Sequence, residues 1–206
     1  MNIITMLPMH FAHFELDREF TKNELDTVAY HKNHVYVNVG NTTSNNTKLL
    51  DTEFPQLREM FQTSIDEYVD KIIVPESENF KLKITQSWLN YTEPGQNHHP
   101  HTHPNSIISG VFYFNANGDD DKILFYSYNE YPQIIIKTKL SGASQLNSHS
   151  WWFPVKSKSL ILFPSSMKHS VPHTTSDKTR ISLSFNTFPV GDLGALVDLT
   201  HVNISC

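Results

Sequence analysis

The chain has 206 residues, of which 38% are hydrophobic and 12% aromatic, and a formal net charge of −5. That is enough apolar material to bury one core, which excludes a disordered chain, and no basic stripe offers a nucleic-acid surface. No apolar run reaches the ~18 residues of a membrane span, the N-terminal residues lack the pattern of a secretion signal, and the lone Cys206 cannot form an internal disulfide, so a soluble intracellular protein is expected.

In chain order, residues 1–80 read as a mixed, partly helical extension. Lys22 to His31 suits a short helix, HVYVNVG (34–40) alternates like a strand, and the NTTSNNTK run after it reads as a polar loop. From Pro55, the residues Leu57, Phe61, Ile65, Tyr68 and Ile72 recur every three or four positions. This spacing predicts an amphipathic helix with Pro55 in its first turn, ending before Pro75 and covering one face of a sheet. After Asn79 the period changes to two. LKITQSWLNY (82–91), IISGVFYFN (107–115), KILFYS (122–127), QIIIKT (133–138), SLILF (159–163) and RISLSFN (180–186) are predicted strands. Short segments around 99–103 and 169–172 bring the count to about eight, with turn signals at Pro94-Gly95, Asn117-Gly118-Asp119 and Ser141-Gly142. Residues 81–206 are therefore expected to form a mainly β sandwich or barrel, with the Trp151-Trp152-Phe153 run in its core or an interface.

Twelve histidines are present, four of them between positions 98 and 103. On an extended strand His101 and His103 project to one face, so both imidazoles can reach one ion. His169, beyond a strongly apolar strand, supplies the third protein ligand that a transition metal needs. His99 shares the parity of this pair and is an alternative ligand, but Pro100 and Pro104 bracket His101 and His103 as a rigid unit.

Only three arginines occur, and Arg180 opens the strand TRISLSFN. By alternation Arg180, Ser182 and Ser184 share one face, and Ile181, Leu183 and Phe185 share the other. A guanidinium facing a barrel interior needs a counter-charge. A dicarboxylate would supply it, with Arg180 bidentate and Ser182 adding a hydroxyl; the plainer alternative is a surface strand with an Arg180–Asp177 pair.

Taken in order, W-x-N, P-G, H-x-H-P, S-G-V-x-Y, L-F-P-S, H-x-V and R-I-S-x-S-F-N, from Trp88 to Asn186, resemble the 2-oxoglutarate- and iron(II)-dependent oxygenases. More narrowly, they resemble a family of such oxygenases common in marine bacteria and their phages. The resemblance implies a double-stranded β-helix (jelly roll) and a facial triad of His101, His103 and His169 for Fe(II). It also implies 2-oxoglutarate held by Arg180 and Ser182, with Asn90 and Tyr113 as further contacts. Such an enzyme would be a hydroxylase of the bacterial or phage-infected cytoplasm, acting on a small molecule or a protein side chain, with no nucleic-acid or membrane partner. The usual H-x-D carboxylate is replaced by His103, which leaves the site one charge more positive and also fits other oxidative chemistry. A second departure is Lys156–Ser159, where these proteins tend to place a glycine-containing turn. A cupin is the rival reading, from Gly95, His101, His103, Gly110 and the pair Pro164, His169; the glutamate of its first motif is missing from residues 105–109. A non-catalytic metal protein is the third.

Overall fold

The large sheet follows the order β1 (Ala12–Glu15), β9 (Ser159–Pro164), β6 (Ile108–Asn115), β11 (Arg180–Leu193), β4 (Lys81–Thr92), β3 (Thr42–Ser44) and β2 (Val35–Val37), with β12 (Val202–Ile204) joining β11. The small sheet runs β5 (His98–His101), β10 (His169–Val171), β7 (Lys122–Tyr126) and β8 (Ser150–Pro154), and the strand pairings in both are antiparallel. This computed structural model describes residues 2, 9–127, 137 and 139–205. The two sheets form the double-stranded β-helix that the resemblance implied, within the mainly β sandwich or barrel that strand periodicity predicts.

Alternation divides the large sheet into two chemically distinct faces. Leu82, Ile84, Leu89 and Tyr91 of β4, Phe112 and Phe114 of β6, Leu160 and Leu162 of β9, and Leu183 and Phe185 of β11 join one apolar cluster under the helices. Helix α3 (Pro55–Tyr68) contributes Leu57, Phe61, Ile65 and Tyr68 to it, and the Phe61 ring stacks on Phe185 at 5.3 Å. Gly110 lies opposite Phe185, and a Cβ there would stand 2.1 Å from the ring. No side chain larger than hydrogen fits beneath that aromatic. The opposite face turns toward the small sheet, where Val111, Tyr113, Ile161 and Phe163 meet Ile123, Phe125, Val155 and Met167.

Several expectations shift in detail. Helix α1 (Lys22–His31) matches its predicted span and starts on a capping box between Thr21 and Glu24. Ile72, placed on the buried stripe by its spacing, is 39% exposed. A π-turn over Val69–Ile73 advances the chain one residue too far per turn and rotates the stripe away, before Val74 (φ 49°) ends the helix. The NTTSNNTK run is not all loop: Thr42–Ser44 pairs with β2 and β4, and Ser44 Oγ accepts from the buried Leu89 N–H. The short helix α2 (Leu49–Thr52) and strands β1, β8 and β12 carry too few alternating residues to stand out in the sequence. The Trp151-Trp152-Phe153 run is strand β8, and Trp152 is 45% exposed. The predicted strand 133–138 falls on positions of which only Lys137 is described.

Candidate active site

Strand β11 organises the site. Arg180, Ser182, Ser184 and Asn186 follow one another on the face toward the small sheet, beside Trp88 and Asn90 of β4 and Ser109, Val111 and Tyr113 of β6. His101 at the end of β5 sits directly opposite His169 of β10. His103 lies past β5 rather than within it, so strand parity alone does not aim its ring. Its backbone N–H donates to Ser165 O at 3.0 Å, which anchors the Thr102–Asn105 turn to the end of β9.

The three histidines each offer a nitrogen, and these atoms lie within 4.8 Å of one another. Their other ring nitrogens are engaged. Nδ1 of His101 meets His99 O at 2.7 Å, Nδ1 of His169 meets Met167 O at 2.9 Å, and Nδ1 of His103 meets Asn186 Oδ1 at 2.6 Å. All three partners are acceptors, so each Nδ1 carries the proton and each Nε2 keeps a bare lone pair. The Nε2 atoms of His101 and His103 then face each other at 3.1 Å. Two lone pairs that close repel unless a cation lies between them, so this donor set fits a divalent transition metal. Burial pushes His169 down to about 3 and holds His101 and His103 below the ordinary histidine range, so all three stay neutral and ready to ligate.

The same cavity is lined by Asn90, Tyr113, Arg180 and Ser182. Arg180 is 3% exposed and its guanidinium makes no hydrogen bond among the described residues; its ion partner is Asp121 Oδ1 at 3.7 Å, not Asp177. Asn90 donates to Ser184 Oγ at 3.0 Å while its own Oδ1 has no partner. Burial raises the Tyr113 hydroxyl well above its usual range, so it remains a protonated donor. Buried donors and acceptors left open in this way are costly unless a polar ligand meets them. A dicarboxylate fits.

His98 stacks on His101 at 4.4 Å and belongs, with His99, to a second group of close histidine nitrogens. Together with Trp88, His101 and His103, it lines both the inner cavity and an open outer cleft. Asn38, Lys48, Gln86, Asn105 and Phe188 line that cleft. Sequence reasoning placed no role on Asn186, Ser109 or Asp121. Asn186 shares the parity of Arg180, and that was the available signal; a β-bulge opposite Thr85 of β4 adjusts the register beside it.

Residues 86–186 match the family model described as "Putative 2OG-Fe(II) oxygenase". That stretch holds the histidine triad and the buried arginine. The core is that of a 2-oxoglutarate- and iron(II)-dependent oxygenase. Among solved structures, the oxygenase is similar to a 2OG-Fe(II) oxygenase family protein from Burkholderia pseudomallei (TM-score 0.57, 12% identity, covering 86% of this chain and 84% of that one). It is also similar to HygX from Streptomyces hygroscopicus, solved with nickel, 2-oxoglutarate and hygromycin B (0.56, 11%, 87% and 83%). A prolyl-4-hydroxylase from Pseudomonas putida matches at 0.51 with 11% identity, covering 86% and 92%. At such identities these likenesses speak for the shared fold. No curated protein matches the sequence. The oxygenase is an enzyme that uses iron(II) and 2-oxoglutarate. No helix among the described residues is long and apolar enough to cross a membrane.

Proposed function

We propose that the oxygenase hydroxylates an unactivated C–H bond of a small molecule or protein side chain that enters through the outer cleft. In this reading His101, His103 and His169 hold iron(II), and Arg180, Ser182, Asn90 and Tyr113 hold 2-oxoglutarate. Bound together, the metal and co-substrate supply the oxidising chemistry, in which 2-oxoglutarate and oxygen become succinate and carbon dioxide while the substrate gains a hydroxyl.

The chain's own part is to bind, orient and exclude water. Three neutral imidazoles, fixed by acceptors on Nδ1, present Nε2 to one point and leave the remaining metal positions to co-substrate and oxygen. Arg180 offers a planar fork of donors to the distal carboxylate, and Ser182 and Tyr113 offer hydroxyls from adjacent paired positions on β11 and β6. Phe163, Ile123 and Val111 line the remainder of the cavity and keep bulk water out. Trp88, with its ring 5.9 Å from that of His103, forms the wall where a substrate would meet the metal.

The supporting observation is the convergence, in one buried cavity, of three lone-pair-bearing histidines and a guanidinium with no hydrogen bond among the described residues. Its test is succinate release from purified protein supplied with iron(II), oxygen and 2-oxoglutarate. The wild type should show substrate-independent turnover, which His169→Ala and Arg180→Gln should each lower at least about 100-fold. Turnover that survives both substitutions in folded protein would overturn the residue assignment.

A further inference from the structure

Arg180 and Asp121 are each 3% exposed, and their charged atoms stand 3.7 Å apart, too far for a hydrogen bond and close enough for an ion pair. Asp121 is held from behind. Its Oδ2 accepts from the Asn117 N–H at 2.9 Å, its own N–H donates to Asn117 O at 2.7 Å, and Val155 N–H donates to its carbonyl at 3.0 Å. Its Oδ1, the atom facing Arg180, accepts no hydrogen bond among the described residues. A carboxylate fixed by a turn but stopped short of contact leaves the guanidinium's donors open toward the cavity.

We propose that Asp121 is a resident counter-ion that stands in for the distal carboxylate of 2-oxoglutarate on Arg180 and sets how tightly the co-substrate binds. The inference rests on the assignment of Arg180 to 2-oxoglutarate given above. In the free enzyme an unpaired buried guanidinium would be costly, and Asp121 offsets that cost without using the hydrogen-bonding fork. In the complex the two carboxylates share one cation, and each weakens the other's hold. The ligand set gives a second reason for this charge. With His103 where a carboxylate ligand is usual, iron(II), three neutral histidines, Arg180 and the 2-oxoglutarate dianion sum to +1. Asp121 restores neutrality from behind Arg180, outside the lining of the cavity.

The experiment measures 2-oxoglutarate binding to the manganese(II)-loaded full chain by calorimetry, together with thermal unfolding with and without 2-oxoglutarate. Asp121→Asn keeps the acceptor for Asn117 and removes only the charge. Its dissociation constant should fall about tenfold, as removal of one like charge from a poorly solvated site implies. Its metal-loaded form without co-substrate should melt lower than wild type, and 2-oxoglutarate should raise its melting temperature by more than it raises that of the wild type. Binding of 2-oxobutyrate, which lacks the distal carboxylate, should change less than about twofold, and Asp121→Glu should behave like wild type, because the charge is retained. If Asp121→Asn does not fold, Asp121→Ser, with a smaller acceptor for Asn117, is read in the same way. Unchanged or weaker 2-oxoglutarate binding by the folded variant, or equal tightening of 2-oxobutyrate, overturns the role of Asp121. Failure of the wild type to bind 2-oxoglutarate, or undiminished binding by Arg180→Gln, instead overturns the parent assignment of Arg180.

Discussion

The two faces of the large sheet contrast sharply. Toward the helices, Phe61, Phe112, Leu183 and Phe185 are fully buried hydrocarbon. Toward the small sheet, the same strands present Arg180, Ser182, Asn90 and Tyr113, whose polar atoms are only partly satisfied. One strand thus serves both ends: odd positions of β11 pack into the core and even positions line the candidate site. On the helix face the few polar groups, such as the Tyr91 hydroxyl that donates to Val28 O, are paired, whereas the opposite face leaves some open.

Substitutions on the two faces should therefore fail in different ways. Phe185→Ala removes a ring packed on Phe61 and over Gly110, and should cost about 3–5 kcal/mol in denaturant unfolding. The protein that remains folded should bind 2-oxoglutarate with wild-type affinity, and a matching loss of affinity would dissolve the contrast. On the other face, Asn186→Ala removes the shorter of two oxygen contacts to His103 Nδ1, leaving Ser109 Oγ at 2.9 Å, and should weaken metal binding about 10-fold. Asn186→Asp, which keeps an acceptor, should restore most of it. Equal losses in both variants, measured by metal titration, would deny Asn186 its orienting role.

The histidine face also predicts a pH dependence. Burial depresses His169 to about 3 and lowers His101 and His103, so the unfolded chain takes up protons that the folded chain refuses. Their contribution to stability is fully present above the ordinary histidine pKa of about 6.5 and is lost as the pH falls below it. For His169 alone the loss is about 1.4 kcal/mol per pH unit on the way down toward its folded value. Unfolding of the metal-free protein between pH 7.5 and 5 measures this, and His169→Ala should flatten the slope. The smallest effect lies far from the cavity. Lys158 adopts φ 72° in the turn before β9, a left-handed conformation that favours glycine. Lys158→Gly should gain about 0.5–1 kcal/mol by relieving that strain, with little loss from its pair with the exposed Glu19.

Much of this arrangement could be read without coordinates, because alternation is a local property. The parity of Arg180, Ser182 and Ser184 against Leu183 and Phe185 follows from one strand, as does the stripe of Leu57, Phe61 and Ile65 from one helix. Where a local irregularity intervenes, the pattern misleads: Ile72 lies beyond a π-turn, and the paired residues Thr42–Ser44 sit in an otherwise loop-like run.

The primary structure alone settled which side chains are chemically able to take part, since residue type and strand period dictate donor sets and the face each one occupies. Only the folded chain could choose among them, because choice depends on distances between segments remote in sequence. The return of β10 beside β5 puts His169 opposite His101, Asn186 reaches His103 across 83 positions, and the Asn117 turn sets Asp121, rather than Asp177, behind Arg180. Those partners are decided by backbone pairing and loop closure, which no short window of sequence encodes.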